Sequence, residues 1–288
     1  MTLLNAVVQG LLLGGLYALF ATGLSLMFGV MRLVNLAHGE VAVLGAFGSL
    51  VLGTALGVNP LLSLLVVVPA SAALGYLTQR VVLDRTVGPS PLPSLLVTFG
   101  LSIVVQNLLL ATFTADQRRL DVGALTTASF RAGDLSIGYL PLAVFTTAVA
   151  LLAGLSLFLA RTRLGRIIRA TSDDPQAVRL MGVDAKHVYG IAAAIAFATV
   201  ALAGVVNGIQ TNFTPLSGPL LLIIAFEAVI IGGLGNVWGT LLGGVVLGVA
   251  QTVGAWIDPA QQILAGHLVF LLVLALRPQG LLPKVAAA

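Results

Sequence analysis

Two groups of residues in this chain of 288 have the types and setting for chemistry within apolar surroundings. Glu227 lies inside the apolar run from Leu220 to Ile231. A carboxylate at the centre of a membrane span costs about 3 kcal/mol on insertion scales, so it has to face protein or a water-filled path. A protonated or hydrogen-bonded Glu locking two helices together meets the same constraint, and no basic partner at membrane depth stands out in the sequence. The second group, Asn35, His38, Gly39 and Glu40, interrupts apolar sequence just where a short apolar segment begins. A helix starting there turns its free N–H groups and positive end inward, a broken-helix start that suits a bound carboxylate. Equally, Asn35 caps the helix and Glu40 stabilises its first turn at the membrane interface. Asn207 and Gln210 are weaker pathway candidates and fit interfacial polar positions as well.

Other chemistry is hard to assemble. His38, His187 and His267 fall in separate places, so no metal site is expected. There is no cysteine, no identifiable acid/base pair of carboxylates and no Gly-x-x-x-x-Gly-Lys-Ser/Thr phosphate loop, so the chain is expected to bind no cofactor and not to be an enzyme.

The sharpest local signal is the stretch from Leu164 to Val183, with Arg166 and Arg169 ahead of Asp174-Pro175-Gln176-Ala177-Val178-Arg179-Leu180-Met181-Gly182. Asp174 before Pro175 starts a helix, and about two turns fit before Gly182 ends it at a C′ position. Ala177, Val178, Leu180 and Met181 are expected to be exposed on it. Such a short apolar helix suits a docking groove on a partner, or else lies on an anionic leaflet through its arginines. Further on, Gly235/Gly239/Gly243 and Gly244/Gly248 read as two linked small-xxx-small seams for close helix packing. A flexible turn around Asn236 is the alternative.

The elements that must hold these residues follow from composition. Apolar residues make up 58% of the chain and charged residues 8%, with a mean hydropathy of +1.08, whereas a soluble domain carries roughly a quarter of its residues as charges. The solvent is therefore lipid. A hydrocarbon core of about 30 Å takes about 20 apolar residues in helix, backbone groups must be satisfied within the element, and the alternating strands of a barrel are absent. The expected fold is all-α, a polytopic transmembrane helical bundle of eight or nine spans forming a single domain over 1–288. Spans are expected near 3–30, 41–56, 61–79, 92–113, 139–160, 188–209, 220–235, 239–256 and 262–276. The segments 41–56 and 220–235 are short enough to cross only half the membrane. The opening stretch to Gly15 has no basic n-region or cleavage pattern and reads as a retained first span.

Short loops rich in Lys and Arg stay on the cytoplasmic side. Arg161, Arg163, Arg166, Arg169, Arg179 and Lys186 crowd the loop at about 161–187, and Arg277 and Lys284 lie an even number of spans later. Arg32, Arg80 and Arg85 share that side. Residues 114–138, whose arginines and aspartates cancel, and the N-terminus are expected outside. This topology accounts for the net charge of +4 without nucleic acid.

Four blocks in order make the chain resemble the branched-chain amino-acid permeases of ATP-binding cassette importers, the LivH type. They are Gly15 to Glu40 ending in Asn-Leu-Ala-His-Gly-Glu, Arg169 to Val183, Ala225 to Gly248, and Arg277-Pro278-Gln279-Gly280-Leu281. Val183 stands where that family frequently has Ile. The resemblance implies an inner-membrane subunit of about eight helices. Its implied partners are a second related permease or a second copy, two cytoplasmic ATPase subunits carrying ATP and Mg, and an external substrate-binding protein. It also implies that the Asp174 to Val183 region is the helix that couples to the ATPase, with Arg169, Asp174, Pro175, Ala177, Arg179, Leu180, Met181 and Gly182 as coupling residues. Similar permeases serve urea, short amides or other neutral amino acids. A secondary transporter also explains the spans and Glu227, but calls for broken helices at corresponding positions of two repeats, for which the sequence makes a weak case.

Overall fold

The computed structural model describes residues 2–88, 90–126, 128–132 and 135–282. Its helices are α1 (Leu3–Met31), α2 (His38–Leu56), α3 (Pro60–Val81), α4 (Leu92–Phe113), α5 (Tyr139–Arg161), α6 (Arg163–Asp173), α7 (Pro175–Leu180), α8 (Ala185–Gln210), α9 (Gly218–Gly232), α10 (Val237–Ile257) and α11 (Gln262–Leu276). Before α5, β1 (Ser129–Ala132) pairs antiparallel with β2 (Leu135–Gly138), Ser129 opposite Gly138. Among the described residues eight helices are long and apolar enough to cross a bilayer, α11 together with the turn that precedes it from Pro259, and α9, at 15 residues, is a shorter apolar helix. The chain is thus a multi-pass helical membrane protein. Several expected boundaries move by two or three residues, and two of these bear on the site. The segment read as 220–235 stops at Gly232, because the backbone turns to positive φ at Gly233 and Gly235. The segment read from 41 begins at His38.

Helices α1 and α8 form the buried centre, and each belongs to a group of four helices, the two groups repeating one packing scheme. Helix α1 packs on α10 as α8 packs on α3, α9 lies on α1 as α2 lies on α8, and α4 follows α2 as α11 follows α9. The groups run in opposite senses, since α1 ends and α8 begins at the bundle end where α6 touches both. The repeat that the sequence hardly displays is therefore present in three dimensions. It resides in which helices meet, not in matching side chains.

Glycine sets how close the helices come. A Cβ at Gly244 would lie 2.6 Å from the Gly14 carbonyl oxygen, and one at Gly248 would lie 2.6 Å from the Gly14 nitrogen, so this seam belongs to the α1 contact. Gly239 and Gly243 face α9 instead, where their Cβ atoms would overlap the carbonyls of Gly232 and Ala228. The five-residue offset from 239 to 244 turns the helix by about 140°, so the two seams serve different partners. Gly235 is outside both. It sits in the α9–α10 turn at φ 78° beside Gly29 of α1, and Asn236 is the N-cap of α10, accepting from the N–H groups of Trp238 and Gly239. The carboxy-terminal segment closes the end of α9. Leu281 and Leu282 donate their N–H groups to the Ile231 and Gly232 carbonyls at 2.8 and 3.0 Å, satisfying acceptors that a helix end leaves open.

Gly244→Leu is expected to lower the stability of the purified protein by about 1–3 kcal/mol, the usual cost of overpacking, measured by thermal unfolding in detergent. Gly154→Leu, on an exposed face of α5 with nothing within 4 Å of its Cβ, should leave unfolding unchanged.

Candidate functional site

Helix α1 stops where Arg32 adopts a left-handed conformation at φ 52°. The following residues fold back into the bundle, with the Leu36 N–H donating to Thr98 Oγ1 of α4 at 3.1 Å. His38 Nε2 donates to the Phe20 carbonyl at 2.9 Å. Because a carbonyl only accepts, Nδ1 of the neutral ring is an acceptor, and it has no partner. Phe20 precedes the end of α1 by about 16 Å at 1.5 Å per residue, so α2 begins within the bundle and not at its surface. The N-cap is Ala37, without a side-chain hydrogen bond. Asn35 is therefore not the cap itself, but its Oδ1 accepts the Ala37 N–H at 3.0 Å and holds the turn that precedes it.

The α8–α9 connection makes the same move. Phe213 and Arg118 exchange backbone hydrogen bonds of 2.9 Å, and the Thr214 N–H donates to Ser217 Oγ at 3.0 Å before α9 starts at Gly218. The two starts meet. A Cβ on Gly39 would overlap the Gly218 carbonyl, and one on Gly218 would overlap the Glu40 carboxylate. Glu40 is 1% exposed; Oε1 accepts from Ser102 Oγ at 3.2 Å and Oε2 has no partner. Its carboxylate thus stands at the first turn of α9, where the helix dipole favours an anion. With that place filled by the chain's own acid, the junction suits an approaching ammonium group better than a second carboxylate.

Glu227 forms a separate centre, about 14 Å along α9 from its start. Its Oε1 bonds to His267 Nδ1 of α11, with side-chain exposures of 6% for Glu227 and 38% for His267. This is the basic partner at membrane depth that did not stand out in the sequence. Tyr17 of α1 donates to Gln251 Oε1 of α10 at 2.5 Å, and Gly266, beside His267, lets α11 approach Gln251. Four helices therefore share one buried polar layer. Glu227 Oε2 is left without a partner.

The basic segment holds two helices, one more than its spacing suggested. The fold-back of α6 against α5 depends on Gly165, whose Cβ would strike the backbone of Phe158 and Leu159, and Ser172 Oγ donates to the Gly29 carbonyl at 2.7 Å. Asp174 then ends α6 and caps α7, its Oδ1 accepting from Gln176 and Ala177 N–H at 2.8 and 3.0 Å. Gly182, at φ 82°, closes the element. Leu180 and Met181 are 91% and 82% exposed, and Ala177, Arg179 and Arg169 are exposed too. Val178, expected among the exposed residues, is buried and anchors α7 to the bundle. Among the described residues no cluster of three or more His, Cys, Asp or Glu could hold a metal.

Comparison with known proteins adds an independent finding. Residues 6–276 match the model of a family described as "Branched-chain amino acid transport system / permease component". The chain is 33% identical to the high-affinity branched-chain amino acid transport system permease protein BraD of Pseudomonas aeruginosa, covering 98% of this chain and 96% of the relative. It is 27% identical to the permease protein LivH of Salmonella typhimurium over the same shares, and 28% identical to a probable LivH of Methanocaldococcus jannaschii over 82% of this chain and 76% of the relative.

His267→Ala strips the buried Glu227 of its partner and should cost about 1–3 kcal/mol. A double-mutant cycle with Glu227→Gln, followed by thermal unfolding in detergent, should give a coupling of about 0.5–3 kcal/mol. Additive effects would show that the two side chains do not interact.

Proposed function

The chain belongs to the permease components of branched-chain amino acid transport systems, and on that premise we propose that it is one membrane subunit of an ATP-driven importer for branched-chain or other small neutral amino acids. An external binding protein delivers the amino acid, a second related permease or a second copy completes the path, and two cytoplasmic ATPase subunits carry ATP and Mg. The observation that supports this reading best is α7. It is a rigid element with a capped start and a glycine end, and it presents Leu180 and Met181 almost fully exposed. A docking surface of this kind serves a permease driven from outside itself. The paired starts of α2 and α9 suit a transport path in an importer as readily as in a secondary transporter, but a secondary transporter has no use for α7.

In this reading Asn35, His38, Gly39 and Glu40 line the upper path, with Glu40 facing the ammonium group of the amino acid. Glu227 and His267 line the lower path. A half-exposed imidazole at span depth is costly against lipid and acceptable against water or protein. The end carrying α6 and α7 is cytoplasmic and the amino terminus external, as the arginine-rich segment requires.

Ala177→Asp places a charge in the apolar docking face, and it should abolish ATPase stimulation by loaded binding protein in the reconstituted complex. Met181→Ala should weaken capture of the ATPase subunits by about 1–3 kcal/mol if Met181 is an anchor. Normal stimulation in both variants would move coupling elsewhere. The chain has no native cysteine, so Leu125→Cys and Leu164→Cys report orientation against a clean background. Impermeant thiol reagents should reach position 125 from outside and position 164 only from the cytoplasmic side.

A further inference from the structure

The bundle end that carries α6 holds a cleft of about 130 Å³ between α1, α5, α6 and the α9–α10 turn, away from the starts of α2 and α9 and from the exposed face of α7. Leu26, Val30, Leu159 and Ile168 make its walls apolar, and Ser25 and Arg169 add polar groups. Ser25 is 2% exposed and its hydroxyl has no partner, unlike Thr22 one turn earlier, which bonds back to the Ala18 carbonyl at 2.6 Å. A buried hydroxyl left open in this way has both a donor and an acceptor to offer. Arg169 donates to the Ala160 carbonyl at 3.4 Å, which occupies one of five guanidinium N–H groups. Among the described residues no carboxylate pairs with it.

A guanidinium, an open hydroxyl and short aliphatic walls are the chemistry that holds a carboxylate bearing a small apolar side chain. We propose that this cleft is a second binding site for a branched aliphatic amino acid, filled from the cytoplasm by imported product, and that filling it slows transport. The proposal rests on the reading of the chain as an importer subunit and of this end as cytoplasmic. A ligand bridging Arg169 on α6 and Ser25 on α1 reinforces the Ser172–Gly29 hydrogen bond between the same helices. Because α6 and α7 share Asp174, restraint of α6 passes to α7. A ligand that favours one arrangement of α6 holds the population there.

The test uses the complete complex in proteoliposomes, with ATP in the lumen, binding protein and labelled leucine outside, and graded unlabelled leucine in the lumen. Luminal leucine should reduce the initial rate of uptake, whereas luminal leucinamide, which lacks the carboxylate, should not. Ser25→Val and Leu159→Phe should transport normally into empty lumens. Ser25→Val should raise the inhibitory leucine concentration roughly tenfold, the fold-change that accompanies loss of one hydrogen bond to a charged group, and Leu159→Phe should raise it by filling the cleft with a larger side chain. Equal inhibition of wild type and variants, or by leucine and leucinamide, would overturn the site. So would inhibition that follows anionic-lipid content and ignores luminal leucine, because the occupant would then be a lipid headgroup. A parallel thermal-shift assay of the detergent-solubilised complex, with leucine against leucinamide and Ser25→Val as control, reads binding without transport. If wild type imports no leucine but still binds it through Ser25, the importer reading fails for this substrate and the site stands; no shift with leucine removes the site.

Discussion

A helix that begins inside a membrane-spanning bundle leaves N–H groups that lipid cannot satisfy, and this protein contains two such starts. It resolves both by setting them against each other. Gly39 and Gly218 carry no side chain, so the first turns of α2 and α9 come into direct contact, and Glu40 supplies the negative charge that the start of α9 favours. The surrounding architecture follows from that contact. Helices α1 and α8 must run past the junction as long buried rods, and each connecting segment must turn back into the interior, through Asn35 on one side and the Thr214–Ser217 turn on the other.

Close backbone approach makes the arrangement possible. In lipid the hydrophobic effect does not drive helices together, and packing does so instead. Gly10 and Gly14 on α1 meet Gly244 and Gly248 on α10, and Gly75 on α3 meets Ala193 and Phe197 on α8. These two contacts occupy equivalent places in the two groups of helices. Helix α10 uses a separate pair of glycines for α9, which ties the short helix to the rigid core while its start remains at the junction.

The two polar centres differ in character. The junction around Glu40 is sealed, with unpartnered acceptors on Glu40 and His38. The layer around Glu227 reaches the surface through His267, and the short helix α9 runs through both. At the far end of α9, the turn through Gly235 touches α1 at Gly29, the residue whose carbonyl receives Ser172 of α6. Packed and hydrogen-bonded contacts therefore run without a gap from α7 through Asp174, α6 and α1 to α9. Spatial continuity of this kind is what an importer driven from its cytoplasmic end requires, and it becomes coupling only if these contacts switch between two arrangements.

Properties carried by neighbouring residues are readable in the sequence. Hydropathy over twenty residues identifies the spans, the pair Asp174-Pro175 and Gly182 delimit α7, and the length of the run near 220–235 marks the short helix α9, whereas the run near 41–56 belongs to a 19-residue helix. Properties that depend on distant partners are not. Glu227 and His267 are separated by 40 residues and Tyr17 and Gln251 by 234, and no local pattern links either pair. Val178 reads as one more apolar residue of an exposed helix until the fold turns it inward, and Gly235 reads as part of a helix seam until the backbone turns at positive φ. Asn35 looks like a helix cap in sequence, yet only the packing of α1, α4 and α9 decides that α2 starts deep in the bundle and that Ala37 is its cap. Spacing and hydropathy act within a few turns of one helix, whereas burial, pairing and depth are set by whichever surfaces the assembled helices bring together.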